Sequence, residues 1–144
     1  EHGLRNLVLP GRFAPADMPI LLAAASAVLL TLRDEPIFAY TVPSKLQAYL
    51  AAGRPIIAAI NGEGARLVRE ADAGLDCPAG DAAALAEAVQ TMHALDDRRR
   101  AAMGDNASRY AAAHFSLPTL TDKLIEHLKQ LTMQHTAPPQ ETSR

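Results

Sequence analysis
Hydrophobic positions change their period several times along the chain. Asn6 to Leu9 is a short apolar run closed by Pro10-Gly11, which predicts a buried strand ending in a turn. In the segment that follows, Met18, Leu21, Leu22 and Ala25 fall at i, i+3, i+4 and i+7, one buried face of a helix, with Asp17 placed to cap it. Ala27 to Leu32 predicts a second buried strand. Beyond an irregular segment around Asp34-Glu35-Pro36, a helix starts near Thr41, turns Leu46, Tyr49 and Leu50 inward and stops at Gly53. Pro55 to Ile60 is unbroken apolar sequence, which suits a parallel strand covered on both faces better than a half-exposed antiparallel one.

The same beat then repeats. Asn61-Gly62 marks a turn into a helix with Leu67, Val68 and Ala71 inward, and Gly74 releases a short strand over Leu75 to Cys77. Asp81 is placed to cap a helix running to about Leu95, with Leu85, Ala88, Val89 and Met92 on its buried stripe. Two more helices are expected, about Asp97 to Ala113 and Leu117 to Leu131, the last carrying Leu117, Leu120, Leu124, Leu128 and Leu131 on one face. Thr136 to Arg144 is polar and contains Pro138-Pro139, so residues 134–144 are expected to be a disordered tail on a domain of residues 1–133. Strands alternating with helices over short loops predict an α/β fold, a Rossmann-like parallel sheet with helices on both faces and right-handed crossovers. Ligands of such sheets bind outside the carboxyl ends of the strands. That rule selects Pro10 to Phe13, Arg33 to Thr41 and Asn61 to Gly64 as binding loops on one edge.

Composition narrows the class. The chain has 144 residues, the size of one domain, and its 49% hydrophobic and 21% charged residues are those of an ordinary globular protein. With 14 basic and 16 acidic side chains the formal charge is −2, which leaves no electrostatic footprint for nucleic acid or an anionic membrane. The single Cys77 excludes an internal disulfide framework and fits a reducing compartment, so a cytoplasmic location is expected. Met18 to Leu32 is interrupted by a serine and too short to span a bilayer, and no signal-peptide pattern stands at the start. Glu1-His2-Gly3-Leu4 lacks a methionine and runs straight into the first apolar run, so the sequence is expected to be a piece of a longer protein. His2, His93, His114, His127 and His135 show no ligand spacing, and no metal site or cofactor is expected.

The chemistry concentrates at Thr41-Val42-Pro43-Ser44-Lys45. Thr41 can cap the helix there, and Pro43 fits its first turn, where a missing N–H costs nothing. The free amides of that turn and the positive end of the helix dipole suit a phosphate, to which Lys45 adds a mobile charge and Ser44 a hydroxyl donor. An ordinary capped helix with a solvated lysine is the competing reading. The run Arg98-Arg99-Arg100 follows Asp96-Asp97 at a helix start, so compensation on a solvated face accounts for it better than phosphate binding.

From Asn6 to about Phe115 the chain resembles the C-terminal domain of family 4 (group 1) glycosyltransferases, in particular bacterial members of the WbuB type in lipopolysaccharide and capsule synthesis. The resemblance rests on Val8-Leu9-Pro10-Gly11-Arg12, on Thr41 to Ile57 with its helix end Ala51-Ala52-Gly53-Arg54-Pro55-Ile56-Ile57, and on Gly62-Glu63-Gly64. Ala73-Gly74-Leu75 and Pro78 to Ala86 extend it. Each piece is common alone, but their order and spacing together are specific.

The resemblance implies one Rossmann-like half of a GT-B fold, the half that holds the nucleotide sugar. The family's upstream strand-helix units, which carry an Arg and a Lys for the diphosphate, have no counterpart before Asn6, nor does the acceptor domain. The chain alone is therefore expected to transfer no sugar. Gly11, Arg12 and Phe13 lie where the family holds the nucleobase, although a buried core role is expected for Phe13. Tyr40 and Phe38 are placed to flank the sugar or to cover the core.

Many members carry two glutamates eight positions apart, the first toward the transferred sugar and the second toward the ribose. Here those positions hold Ala39 and Gln47. Gln47 can still hydrogen-bond a ribose hydroxyl, whereas Ala39 offers nothing polar. Glu63, on the glycine loop, is the expected substitute, against the bland alternative of a solvated glutamate. The implied activity is retaining transfer from a nucleotide diphosphate sugar, of UDP-N-acetylhexosamine type, to a surface polysaccharide or lipid-linked glycan.

Lys45 and Glu63 are then the catalytic candidates, and Thr41, Ser44, Gly62 and Gly64 join the donor-binding set. Two alternatives stay open: a sugar-nucleotide epimerase of the same architecture, and a non-catalytic interaction module with a decayed cleft. The leucine face of the final helix is expected to lie partly exposed or to pair with another chain.

Overall fold
The computed structural model describes residues 4–135. A short 3-10 turn at Pro15–Asp17 leads into α1 (Met18–Ala24), then β1 (Val28–Thr31), α2 (Pro36–Ala39) and α3 (Ser44–Ala51). β2 (Ile56–Ala59), α4 (Glu63–Glu70), β3 (Gly74–Cys77), α5 (Ala82–Ala94), α6 (Asp97–Phe115) and α7 (Leu117–His135) follow. The three strands form one parallel sheet in the order β1-β2-β3, with Val28 opposite Ile56 and Ile56 opposite Gly74.

Side-chain alternation divides the core between two sheet faces. Val28, Leu30, Ile56, Ala58 and Ile60 pack with Leu46 and Leu50 of α3, Leu67 and Val68 of α4, and Ala107 and Ala111 of α6. Ile57 and Leu75 point the other way, toward Leu85, Ala88 and Met92 of α5. All four residues of β2 are buried, as its unbroken apolar sequence predicts. On β1 only Val28 and Leu30 are buried, and Leu29 is 50% exposed, because α5 covers the β2 and β3 side of that face.

Some expectations of pairing, capping and burial fail, among them Val89 of the expected α5 stripe, which is 45% exposed. Asn6 to Leu9 forms no strand: among the described residues no backbone hydrogen bond joins it to β1, and Leu7, Val8 and Leu9 are exposed. An apolar run becomes a strand only where an edge pairs with it. Asp17 does not cap α1 with its side chain, since its backbone is already helical at φ −84°, ψ −17°. The face of α1 expected to be buried stays open, with Met18 and Leu21 exposed and only Leu22 and Ala25 touching the core.

The last two helices run longer than their patterns predict, α6 to Phe115 and α7 to His135. The α7 leucine face is exposed along its length, because α7 meets the rest of the fold chiefly through α6. Residues 136–144, of the expected tail, lie outside the described residues. Among the described residues no helix is long and apolar enough to cross a membrane.

α6 packs closely where it crosses the end of α3. Gly53 ends α3 in the left-handed region at φ 64°, and Gly104 of α6 lies against its carbonyl, so closely that a methyl group at Gly104 would overlap that oxygen. Replacing a glycine inside a helix by alanine ordinarily gains about 1 kcal/mol of helix propensity. Gly104→Ala should therefore do the reverse and lower the urea midpoint of unfolding. A raised midpoint would show that the helices do not cross this closely.

Candidate anion-binding site
The carboxyl ends of the three strands open onto loops that are tied together. Asn61 directly follows Ile60 at the end of β2, and its Nδ2 donates to Asp34 Oδ1 (2.8 Å) beyond β1. Its Oδ1 accepts from the Ala79 amide (3.2 Å) beyond β3. Gly62, at φ 70° and ψ −136°, lies against the Ala39 carbonyl with no room for a side chain. A Cβ on Gly64 would sit 2.8 Å from Ile60 Cδ1 and, at ordinary contact distance, 3.5 Å from Pro43 Cδ. The start of α4 thereby meets the end of α2 at Gly62 and lies beside the start of α3 at Gly64.

Both helix starts are free of side-chain caps. α5, α6 and α7 are capped by their own chain: Asp81 accepts from the Ala84 amide (2.9 Å), Asp96 from the Arg99 amide (2.7 Å) and Ser116 from the Thr119 amide (3.3 Å). At α3 the cap position is Pro43 and at α4 it is Gly62, and neither has a side chain able to accept. Thr41 is not the cap of α3, a correction to the sequence reading: its hydroxyl donates backward to the Phe38 carbonyl (3.2 Å), closing the turn after α2. Pro43 correspondingly stands one position earlier than a first-turn proline. The amides of Ser44 and Lys45, and of Glu63 and Gly64, have no acceptor among the described residues. Unpaired first-turn amides at the positive end of a helix dipole are suited to an anion. Lys45 beside them is exposed and pairs with no carboxylate among the described residues.

Glu63 is engaged by Arg66 of the next turn in a two-pronged bond, Nε to Oε2 (2.9 Å) and Nη2 to Oε1 (2.6 Å), and Arg66 also pairs with Glu70. The bonds from Arg66 hold the Glu63 carboxyl below the usual glutamate range. Glu63 is therefore a fixed negative acceptor at neutral pH, not a proton donor. Each of its oxygens keeps a lone pair for a further hydroxyl.

The other predicted residues are more scattered. Tyr40 is 85% exposed beside Thr41, next to the paired helix starts, and Phe38 is half-buried. Gln47 lines a groove of about 440 Å³ between α3 and α6, with Ser108, Phe115 and Ser116. Gly11, Arg12 and Phe13 are exposed, and among the described residues no backbone hydrogen bond joins them to the strand-end loops. The buried role expected for Phe13 is not met, since no core cluster includes it. Of the arginine run, Arg99 pairs with Asp72 (3.0 Å) and Arg100 with Asp97 (2.5 Å), the expected charge compensation. Sequence reasoning misses Asn61, which reads there as half of a turn; the signal available is an amide side chain directly after the most apolar strand.

Residues 1–94 match the family described as glycosyl transferases group 1. The chain belongs to that family. It is 36% identical over 88 residues to the probable glycosyltransferase WbjE of Pseudomonas aeruginosa, covering 60% of this chain and 22% of that protein. The sucrose-phosphate synthase of Thermosynechococcus elongatus is similar in structure, with a TM-score of 0.66 and 25% identity over 80% of this chain and 27% of its own. The chain thus spans about a fifth to a quarter of these proteins. The three-stranded parallel sheet with helices on both faces is the Rossmann-like fold of a GT-B glycosyltransferase domain.

The lowered pKa of Glu63 contributes stability that is present above the ordinary glutamate range and is lost as pH falls through the lowered value. Carboxyl NMR should find Glu63 titrating below exposed glutamates, and Arg66→Met should move it back up. A titration unmoved by that substitution would mean that the Arg66 fork does not form in solution.

Proposed function
We propose that this chain is the donor-binding part of a retaining glycosyltransferase. In this reading the protein moves a sugar from a nucleotide diphosphate, of UDP-N-acetylhexosamine type, to a growing surface polysaccharide or lipid-linked glycan. The observation that carries the reading is the pairing of two uncapped helix starts, at Ser44 and Glu63, beside the unpaired Lys45. Charge that grows on a departing diphosphate is stabilised by donors already aimed at it. The amides of Ser44 and Lys45, the Ser44 hydroxyl and the Lys45 ammonium supply such donors. Ionised Glu63 accepts a hydroxyl of the sugar or ribose, and the Gln47 amide meets the ribose. Tyr40 and the Gly62 to Gly64 turn border the sugar, and Gly11, Arg12 and Phe13 serve the nucleobase. The acceptor is held by protein outside this chain, at the cytoplasmic face of the membrane.

The reaction forms a bond from the acceptor hydroxyl oxygen to the anomeric carbon and breaks the bond from that carbon to the diphosphate, with attack on the same face. No enzyme nucleophile is required. Family membership and the name of the Pseudomonas relative support sugar transfer in general. In the full-length protein, Lys45→Ala should weaken donor affinity and turnover together, each by roughly tenfold, as expected for loss of one charged donor. Steady-state kinetics with varied donor reads both, and unchanged parameters would remove Lys45 from the site.

A further inference from the structure
We propose that Asn61 is a positioning residue of the donor site: its side-chain amide clasps the loops after β1 and β3 and thereby sets the Gly62–Gly64 turn against the start of α3. The inference rests on the donor-site reading above for its effect on ligand, but the clasp itself is a matter of geometry. Asn61 is half-buried at the end of the central strand, and its two polar atoms face opposite ways. Nδ2 meets a carboxylate, Asp34, and Oδ1 meets an amide, Ala79 N–H. Only a side chain that donates on one side and accepts on the other satisfies both. Aspartate has the same shape and cannot donate, and a hydrophobic isostere can do neither.

The turn that Asn61 launches has no slack. Gly62 abuts the Ala39 carbonyl, and Gly64 lies against Ile60 and beside Pro43, so a shift of the strand end would drive the Gly62 backbone into that of Ala39 or part the two helix starts. Asn61 touches none of the atoms proposed to meet the donor. Its influence passes through the direction in which the Glu63 and Gly64 amides point. Asp34 holds the outer end of the clasp, and its own Cβ lies 3.8 Å from the position a Cβ would take on Gly80, the turn before α5.

A charge-swap cycle tests this in the full-length protein, read by calorimetric titration with UDP and by backbone amide shifts of Gly62 and Gly64 without ligand. Asn61→Asp sets two carboxylates against each other and should weaken UDP binding at least about tenfold while displacing both amide signals. Asp34→Ala, at an exposed position, should weaken binding in the same direction by a smaller factor, and it serves if Asn61→Asp fails to fold. The double variant Asp34→Asn with Asn61→Asp rebuilds both bonds in reverse: the new carboxylate at the end of β2 accepts from the new amide beyond β1 and from the Ala79 N–H. It should restore UDP affinity to within about threefold and return the amide signals, a recovery that only coupled residues give.

Unchanged UDP affinity and shifts in Asn61→Asp would overturn the proposal, as would a loss that the swap does not repair. If the unsubstituted protein itself ignores UDP, the donor reading fails. The amide shifts then decide the clasp alone: displaced and restored supports it, anything else overturns it.

Discussion

Everything in this domain is referred to strand β2. It is buried on both faces, both other strands hydrogen-bond to it, and β1 and β3 never meet. A strand in that position cannot slip by one residue without turning apolar side chains from one helix layer into the other. Its register therefore fixes which of its residues is last, and Ile60 beyond it hands the chain to Asn61. The burial of Ile56, Ile57, Ala58 and Ala59 is thus the constraint that places the strand-end loops.

From that point the chemistry follows from what the helices lack. Helices whose first turns are capped by Asp81, Asp96 or Ser116 have committed those amides to their own chain. α3 and α4 begin at proline and glycine, so their first amides have no acceptor among the described residues, and Gly62 admits the Ala39 carbonyl while Gly64 lies beside Pro43. Removing caps destabilises a helix by about 1 kcal/mol each. Here the packed faces of both helices hold them in place, with Leu46, Leu50, Leu67 and Val68 buried in the same cluster.

The elements with strong periodicity are readable from sequence because their burial is decided locally. The helix from Glu63 to Glu70, the strand before it and the Asp81 cap all appear where the pattern puts them. Asn6 to Leu9 misleads because apolar character makes a strand possible and only a partner edge makes it real. Thr41 misleads because a hydroxyl can bond forward to a helix or backward to a turn, and the one-turn helix at Pro36–Ala39 supplies the backward acceptor. The helix start at Ser44 with the adjacent cation Lys45 is legible in the sequence, and its anion-receiving role is the proposal drawn from it. The Arg66 fork on Glu63 can be suspected from the spacing of three, but the clasp by Asn61 depends on two loops distant in sequence and has no local signature.

We propose that two uncapped helix starts, placed side by side beyond the end of β2, form one anion site. Amide NMR during titration with UDP tests it most directly. The largest shifts should fall on Ser44, Lys45, Glu63 and Gly64 together and saturate with one dissociation constant. Shifts confined to the groove around Ser108 and Phe115, or affecting one helix start without the other, would contradict it.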